Sequence, residues 1–252
     1  MLKKQQQASE NQALSYDEIF NHRGNLYDLA MQKFPQAREL EFKALFYKNA
    51  VGDNEKIIDL PSGGAYLKNF TNACTQIDSW EISQGFVLRE GINYVQLGKI
   101  NTIPRKYTRA VCLATLHHIE DKQEFISQLS QTVVKGGIVH VADVADESRI
   151  RIFLEEFVHF NNDMGHRGTY ISKLKKLPSP SNLEIIRREM VDVPWHFDNI
   201  FDAAIFCKLM FGLRAETSLN SIIKALQDYV GITTSGNKVS LNWQLQYFDL
   251  KV

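Results

Sequence analysis

The chain has 252 residues, lysine plus arginine equal to aspartate plus glutamate at 29 each, and 44% apolar side chains. That is enough for a substantial core in one α/β domain or two smaller ones. The balanced charge argues against a broad electrostatic footprint for nucleic acid or an anionic membrane, and no apolar run approaches a membrane span.

In chain order, residues 1–14 lack the apolar region of a secretory signal and read as a disordered tail. Ser15 and Glu18 have capping-box spacing and open a helical cap over residues 15–50, interrupted near Pro35. Tyr16, Phe20, Arg23, Tyr27 and Met31 share one face of it. A first strand at 56–60 runs into Pro61-Ser62-Gly63-Gly64, followed by a short helix at 65–70 and a second strand ending at Trp80-Glu81. A third strand is expected at 94–97, closed by Gly98. Residues 107–144 carry the strongest signal. A buried strand at 110–114 leads to a loop with His117-His118, then an amphipathic helix with Phe125, Ile126, Leu129, Val133 and Val134, a Gly136-Gly137 stop, and a second buried strand at 138–142. That is a βαβ unit of a parallel sheet covered on both faces.

A helix at 147–162 and the polar, proline-bearing stretch after it form a lid or substrate segment spanning 147–182, in which Lys173, Lys175 and Lys176 read as a solvated face. A strand at 184–193, with Trp195-His196-Phe197 after it as core, and helices at 199–211 and 218–229 precede a last strand at 238–250. That strand alternates through Val239, Leu241, Trp243, Leu245 and Tyr247. The whole reads as one domain. Cys74, Cys112 and Cys207 lack metal-ligand spacing and read as reduced, in a cytoplasmic protein; no metal is expected.

Polar groups just past the carboxyl ends of parallel strands are where such sheets bind ligands. Here they are Thr115, His117 and His118 after one strand and Asp143 after the next. The turn after the first strand would offer backbone N–H groups to an anion. A dinucleotide fingerprint would need glycine at 61, 63 and 66; only Gly63 meets it, which argues against NAD. Glu81 lies 22 residues beyond Asp59, where a carboxylate suits two adjacent ribose hydroxyls.

The segments KIIDLPSGG, WEIS, LGKINTIP, VCLATLHHIED and VKGGIVHVADV resemble, in order, the motifs of class I S-adenosylmethionine-dependent methyltransferases, over about residues 54–145. The resemblance implies a Rossmann-like, seven-stranded, mostly parallel sheet with an antiparallel C-terminal strand and helices on both faces. It implies S-adenosylmethionine as cofactor. Asp59, Pro61, Ser62 and Gly63 would lie beside its methionine portion, Glu81 and Ile82 at the ribose, Leu113, Ala114 and Leu116 under the sulfonium and adenosine, and Ile100 and Asn101 at the adenine. Lys99 stands where the family often has an aspartate, and Pro61 and Ala65 where glycine is usual. Tyr16, Phe20, Arg23 and Tyr27 would close over the cofactor. His118, with His117, is the candidate base, and His159, Asn162, His166, Arg167 and Tyr170 the acceptor-binding set. The implied activity is methylation of an oxygen, nitrogen or carbon of a small molecule, such as a secondary metabolite. Alternatives are a cyclisation or rearrangement steered by the bound sulfonium, or a non-catalytic partner protein on the same scaffold. Neither nucleic acid nor membrane is an expected partner, and the oligomeric state is left open.

Overall fold

The computed structural model describes residues 14–86, 89–172, 177 and 180–252; the expected tail, except Leu14, and the three lysines of 173–176 lie outside them. Its centre is a seven-stranded sheet. Strands β1 (Lys56–Asp59), β2 (Gln76–Glu81), β3 (Ile92–Tyr94), β4 (Tyr107–Leu113) and β5 (Val133–Asp143) pair in parallel. Strand β6 (Glu184–Asp192) follows, and the last strand (Gln244–Lys251, β10 below) inserts antiparallel between β5 and β6. The order is β3-β2-β1-β4-β5-β10-β6, so the chain reverses its direction of travel across the sheet between β1 and β4.

Both faces are covered. Ile57 and Ile58 are consecutive in β1 and fully buried, one in each of the two apolar clusters, as the two-residue side-chain period of a strand demands. Ile58, Ala110 and Cys112 pack with Phe125, Ile126 and Leu129 of helix α3 (Lys122–Gln131), whose first turn is capped by Asp121 accepting the Glu124 N–H at 2.9 Å. Ile57 and Val111 pack toward helices α5 (Ile200–Met210) and α6 (Leu219–Ala225).

Helix α1 (Tyr16–Lys33) begins as its sequence predicts, with the Glu18 carboxylate accepting the Ser15 N–H at 2.9 Å; a turn separates it from α2 (Glu39–Leu45). It lies across the loop after β2. Asn21 Oδ1 accepts from the Ser83 hydroxyl at 2.9 Å and the Gly85 N–H at 3.2 Å. A Cβ on Gly85 would lie 1.9 Å from the Phe20 carbonyl oxygen, and one on Gly24 would lie 2.9 Å from that of Gly85. Backbone meets backbone there, and only glycine permits it. Gly85→Ala should therefore weaken α1 docking by about 1–3 kcal/mol, read as faster amide exchange throughout Tyr16–Lys33. Unchanged exchange would show that this contact does not hold the helix.

Four elements depart from the sequence expectation. The third strand lies at Ile92–Tyr94 rather than 94–97, and the helix expected at 65–70 is one 3-10 turn, Leu67–Phe70. Gly136-Gly137 do not stop a helix: α3 ends at Gln131, and Val133 and Val134 open β5. Pairing jumps from Tyr107↔Val133 to Arg109↔Ile138, so the glycines form a bulge. A Cβ on Gly137 would sit 2.4 Å from the Thr108 carbonyl oxygen. Finally, the strand expected at 238–250 is two. Strand β9 (Lys238–Leu241) joins β7 (Trp195–Phe197) and β8 (Ile232–Ser235) in a small antiparallel sheet, and β10 enters the main one. Between them the Asn242 N–H donates to Gly231 and the Trp243 carbonyl accepts from Val193. The helix after β5 is Arg149–Ile152 (α4), continuing through a π segment, Phe153–Val158, and a 3-10 turn, His159–Asn161.

Candidate functional site

A cavity opens at the carboxyl ends of β1 and β4, where the strand order reverses. Its walls come from Tyr16, Phe20, Arg23 and Tyr27 on α1, Arg38 and Glu41 at α2, Asp59 and Pro61 to Gly63 at the end of β1, Leu113 to Thr115 with His117 and His118 at the end of β4, His166, and an aromatic group of Trp195, Phe211 and Trp243. Trp195 and Trp243 stack with centroids 3.8 Å apart and planes 19° apart.

The turn after β1 is tightly wound. Gly63, Gly64 and Ala65 all have positive φ, at 52°, 92° and 63°, and Ala114 after β4 has φ 52°. An alanine in this region costs roughly 1–2 kcal/mol, so Ala65 holds the conformation glycine would normally supply. The turn lies beneath two unsatisfied groups, because Asp59 Oδ2 and Ser62 Oγ are buried without a hydrogen-bond partner. Burial, reinforced by the charge of Glu81, pushes the Asp59 carboxyl well above the usual range. Such a group gains most from a ligand that donates a hydrogen bond.

Glu81 is fully buried. Its carboxylate accepts from the N–H groups of Gly63 at 2.9 Å, Ile82 at 2.9 Å and Ser83 at 3.3 Å, and from the Tyr16 hydroxyl at 3.4 Å. Burial raises its pKa to about 7, against the pull of the three N–H groups and the Tyr16 hydroxyl. The Gly63 N–H is thus engaged by Glu81 and is not offered to an anion.

The floor of the cavity is a buried ion pair. Arg38 donates through Nε to Glu41 Oε2 at 2.6 Å and through a terminal nitrogen to the Tyr27 hydroxyl at 2.5 Å. Although burial opposes its charge, Glu41 and Tyr27 keep Arg38 protonated. Trp195 Nε1 donates to Glu41 Oε1 at 2.7 Å.

The far end is built of histidines. His117 accepts no role from chance packing: its Nδ1 meets Asp143 Oδ1 at 2.7 Å, and its backbone N–H donates to Asp143 Oδ2 at 2.7 Å. His118 lies against it, ring centroids 4.0 Å apart, and His166 is 4.9 Å from His118. Burial first, then the neighbouring histidines and Arg23, push both His118 and His166 well below their usual range, so both rings are neutral. Arg23 donates to the Phe211 carbonyl at 2.9 Å, and burial lowers its pKa to about 10.

The structure therefore gathers Tyr16, Phe20, Arg23, Tyr27, Asp59, Pro61, Ser62, Gly63, Leu113, Ala114, His117, His118 and His166 around one cavity. Others fall elsewhere. Ile82, Ile100 and Leu116 are buried in an apolar cluster with Tyr16, Ile19 and Phe20, and Asn101 is exposed. Asn162 is a strut, its amide donating to the carbonyls of Phe211 and Gly212. His159 lies behind His166, its Nδ1 accepting the His166 N–H at 3.0 Å. Tyr170 stacks on the His117 ring with centroids 5.3 Å apart, and Arg167 lies outside the lining. Sequence reasoning missed Arg38 and Glu41, whose signal is a pair of opposite charges three apart at the start of a short helix. It assigned Trp195 to the core, where the ring is indeed buried, yet the ring also walls the cavity.

No family model matches the sequence, and no curated protein matches it. Solved structures do match in shape. A S-adenosylmethionine-dependent methyltransferase of Thermotoga maritima is 14% identical, with 93% of this chain and 99% of that one covered at a TM-score of 0.56. The [4+2]-cyclase SpnF is 13% identical, covering 94% and 96% at 0.54. Coclaurine N-methyltransferase, solved with N-methylheliamine and S-adenosylhomocysteine, is 8% identical, covering 84% and 69% at 0.53. The fold is that of the class I methyltransferases.

How this chain's residues suit the cofactor of that fold differs between its two halves. The unpartnered Asp59 and Ser62 oxygens in the cavity fit the ammonium and carboxylate end of a methionine. The positions that the methyltransferase motifs assign to ribose and adenine, Glu81, Ile82 and Ile100, are instead covered by α1 through Tyr16, Ile19 and Phe20. Gly63 and Glu81 are joined directly rather than held apart.

Proposed function

We propose that the chain binds S-adenosylmethionine and methylates a small-molecule acceptor. The observation that supports this most directly is the unsatisfied Asp59 carboxyl beneath a cavity at the β1/β4 reversal point, in a methyltransferase fold. Asp59, Ser62 and Leu113 would hold the methionine portion, and Glu81 the ribose once Tyr16 and Phe20 move outward. The cofactor, when bound, supplies an electrophilic methyl group on a sulfonium. The chain's own contribution is placement, which can lower a bimolecular barrier by roughly 7–11 kcal/mol. The Trp195, Phe211 and Trp243 faces form a dry wall that suits a flat apolar acceptor. His117 and His118 line the cavity; burial keeps the His118 ring neutral and only weakly basic, so it would orient an acceptor hydroxyl or amine by a hydrogen bond rather than carry its proton.

Calorimetry with S-adenosylmethionine tests this. Saturable binding is expected, weakened about tenfold to a hundredfold in Glu81→Ala, which removes the charged acceptor for two hydroxyls. Phe20→Ala, by thinning the cover, should bind more tightly than the parent. No saturable heat in the parent and in Phe20→Ala would overturn the assignment and leave a partner protein on this scaffold. Product formed without stoichiometric S-adenosylhomocysteine would replace methyl transfer by cyclisation or rearrangement, the chemistry of SpnF's class.

A further inference from the structure

The three buried histidines form a cluster that neither the fold nor the cofactor accounts for. One ring nitrogen from each of His117, His118 and His166 lies within 4.8 Å of the others. Each ring also leaves a nitrogen buried without a hydrogen-bond partner: Nε2 of His117, and Nδ1 of His118 and His166. The residues are 6%, 6% and 3% exposed. A buried polar nitrogen without a partner costs about 1–3 kcal/mol, and three such costs within one cluster of rings call for a shared ligand.

We propose that His117, His118 and His166 bind a divalent transition metal ion of the zinc class, with its fourth position open to the cavity. Imidazole nitrogen is the ligand type that suits such ions, and three protein ligands with one open position is the pattern of catalytic zinc. Nitrogens around a tetrahedral zinc with bonds of about 2.0–2.1 Å stand about 3.3 Å apart, so atoms now within 4.8 Å of one another have at most about 1.5 Å to close. The supporting contacts are already in place. Asp143 fixes the tautomer and direction of His117 through Nδ1, the carboxylate–histidine arrangement that usually backs a metal ligand. The segment carrying His166 is pinned where Thr169 N–H donates to the His117 carbonyl at 2.8 Å, and Lys122 Nζ donates to the Thr169 hydroxyl at 2.5 Å. Arg23 lines the same cavity, so an anionic fourth ligand would suit the site, such as a hydroxide, phenolate or carboxylate oxygen.

The site stands or falls without the methyl-transfer reading. Chelator-stripped protein is titrated with Zn²⁺ in calorimetry and with Co²⁺ by visible absorption. One equivalent of Zn²⁺ is expected, with the intense visible bands of tetrahedral Co²⁺. His166→Ala and His118→Gln should each abolish the bands and weaken Zn²⁺ binding a hundredfold or more, and Asp143→Asn should weaken it about 10–100-fold. Thermal unfolding of each stripped variant checks that it folds. No tight equivalent in the parent, or binding unchanged in folded His166→Ala and His118→Gln, overturns the proposal and assigns any residual heat to the exposed His22 and His196.

Discussion

Arg38→Met is expected to destabilise the fold by about 3–5 kcal/mol, the cost of leaving one partner of a buried ion pair without the other. The stranded group would be Glu41, which is 0% exposed. Its remaining side-chain donor is Trp195, and its backbone carbonyl already accepts the Tyr247 hydroxyl at 2.9 Å. Arg38 also anchors the Tyr27 hydroxyl, which lies 3.4 Å from where a Gly63 Cβ would be, so the turn after β1 should loosen as well. Combining the change with Glu41→Leu should restore most of the loss, because no charge is then buried alone. Urea unfolding of the four proteins gives the coupling between the sites. A single-variant loss below about 1 kcal/mol, or strict additivity, would show that solvent reaches this pair.

Stability should also fall as pH rises from about 5 to 8, through Glu81. Its folded pKa, about 7, lies above the ordinary 4.5. The folded state therefore holds its proton more tightly than the unfolded chain does. The resulting stabilisation is complete below the ordinary carboxyl range and disappears as pH passes the folded value. The difference is on the order of 3 kcal/mol. Glu81→Gln, neutral throughout, should flatten the profile in that window. A parent profile already flat, or a variant that keeps the slope, would show that the three N–H donors keep Glu81 ionised at acid pH.

Much of this was legible because local pattern and fold agree. Buried strands at β1 and β4, Glu81 at the end of β2 and the histidine pair after β4 each follow from residues close together in sequence. The failures have a common physical origin. The alternation from Val239 to Tyr247 continues unbroken across Asn242-Trp243, and a period of two reports which way side chains point, not which sheet the backbone joins. His166 is distant in sequence from His117 and His118, so no ligand spacing could announce the cluster; it exists only because the segment after His159 folds back onto the β4 loop. The stripe of Tyr16, Phe20, Arg23 and Tyr27 is the face of α1 that lines the cavity. Its amphipathicity could not say whether that face would cap a ligand or take the ligand's place.

The stacked indoles of Trp195 and Trp243 make the molecule its own optical probe. Two such rings 3.8 Å apart and nearly parallel share their electronic excitation, which splits the strong far-ultraviolet indole band in circular dichroism into a paired signal of opposite sign. The chain has only one other tryptophan, Trp80, hydrogen-bonded to the Tyr107 hydroxyl at 3.3 Å and outside the cavity lining. Any compound that wedges against the indole pair should therefore alter the split band while the Trp80 background stays constant, so unlabelled compound collections can be screened by spectroscopy alone.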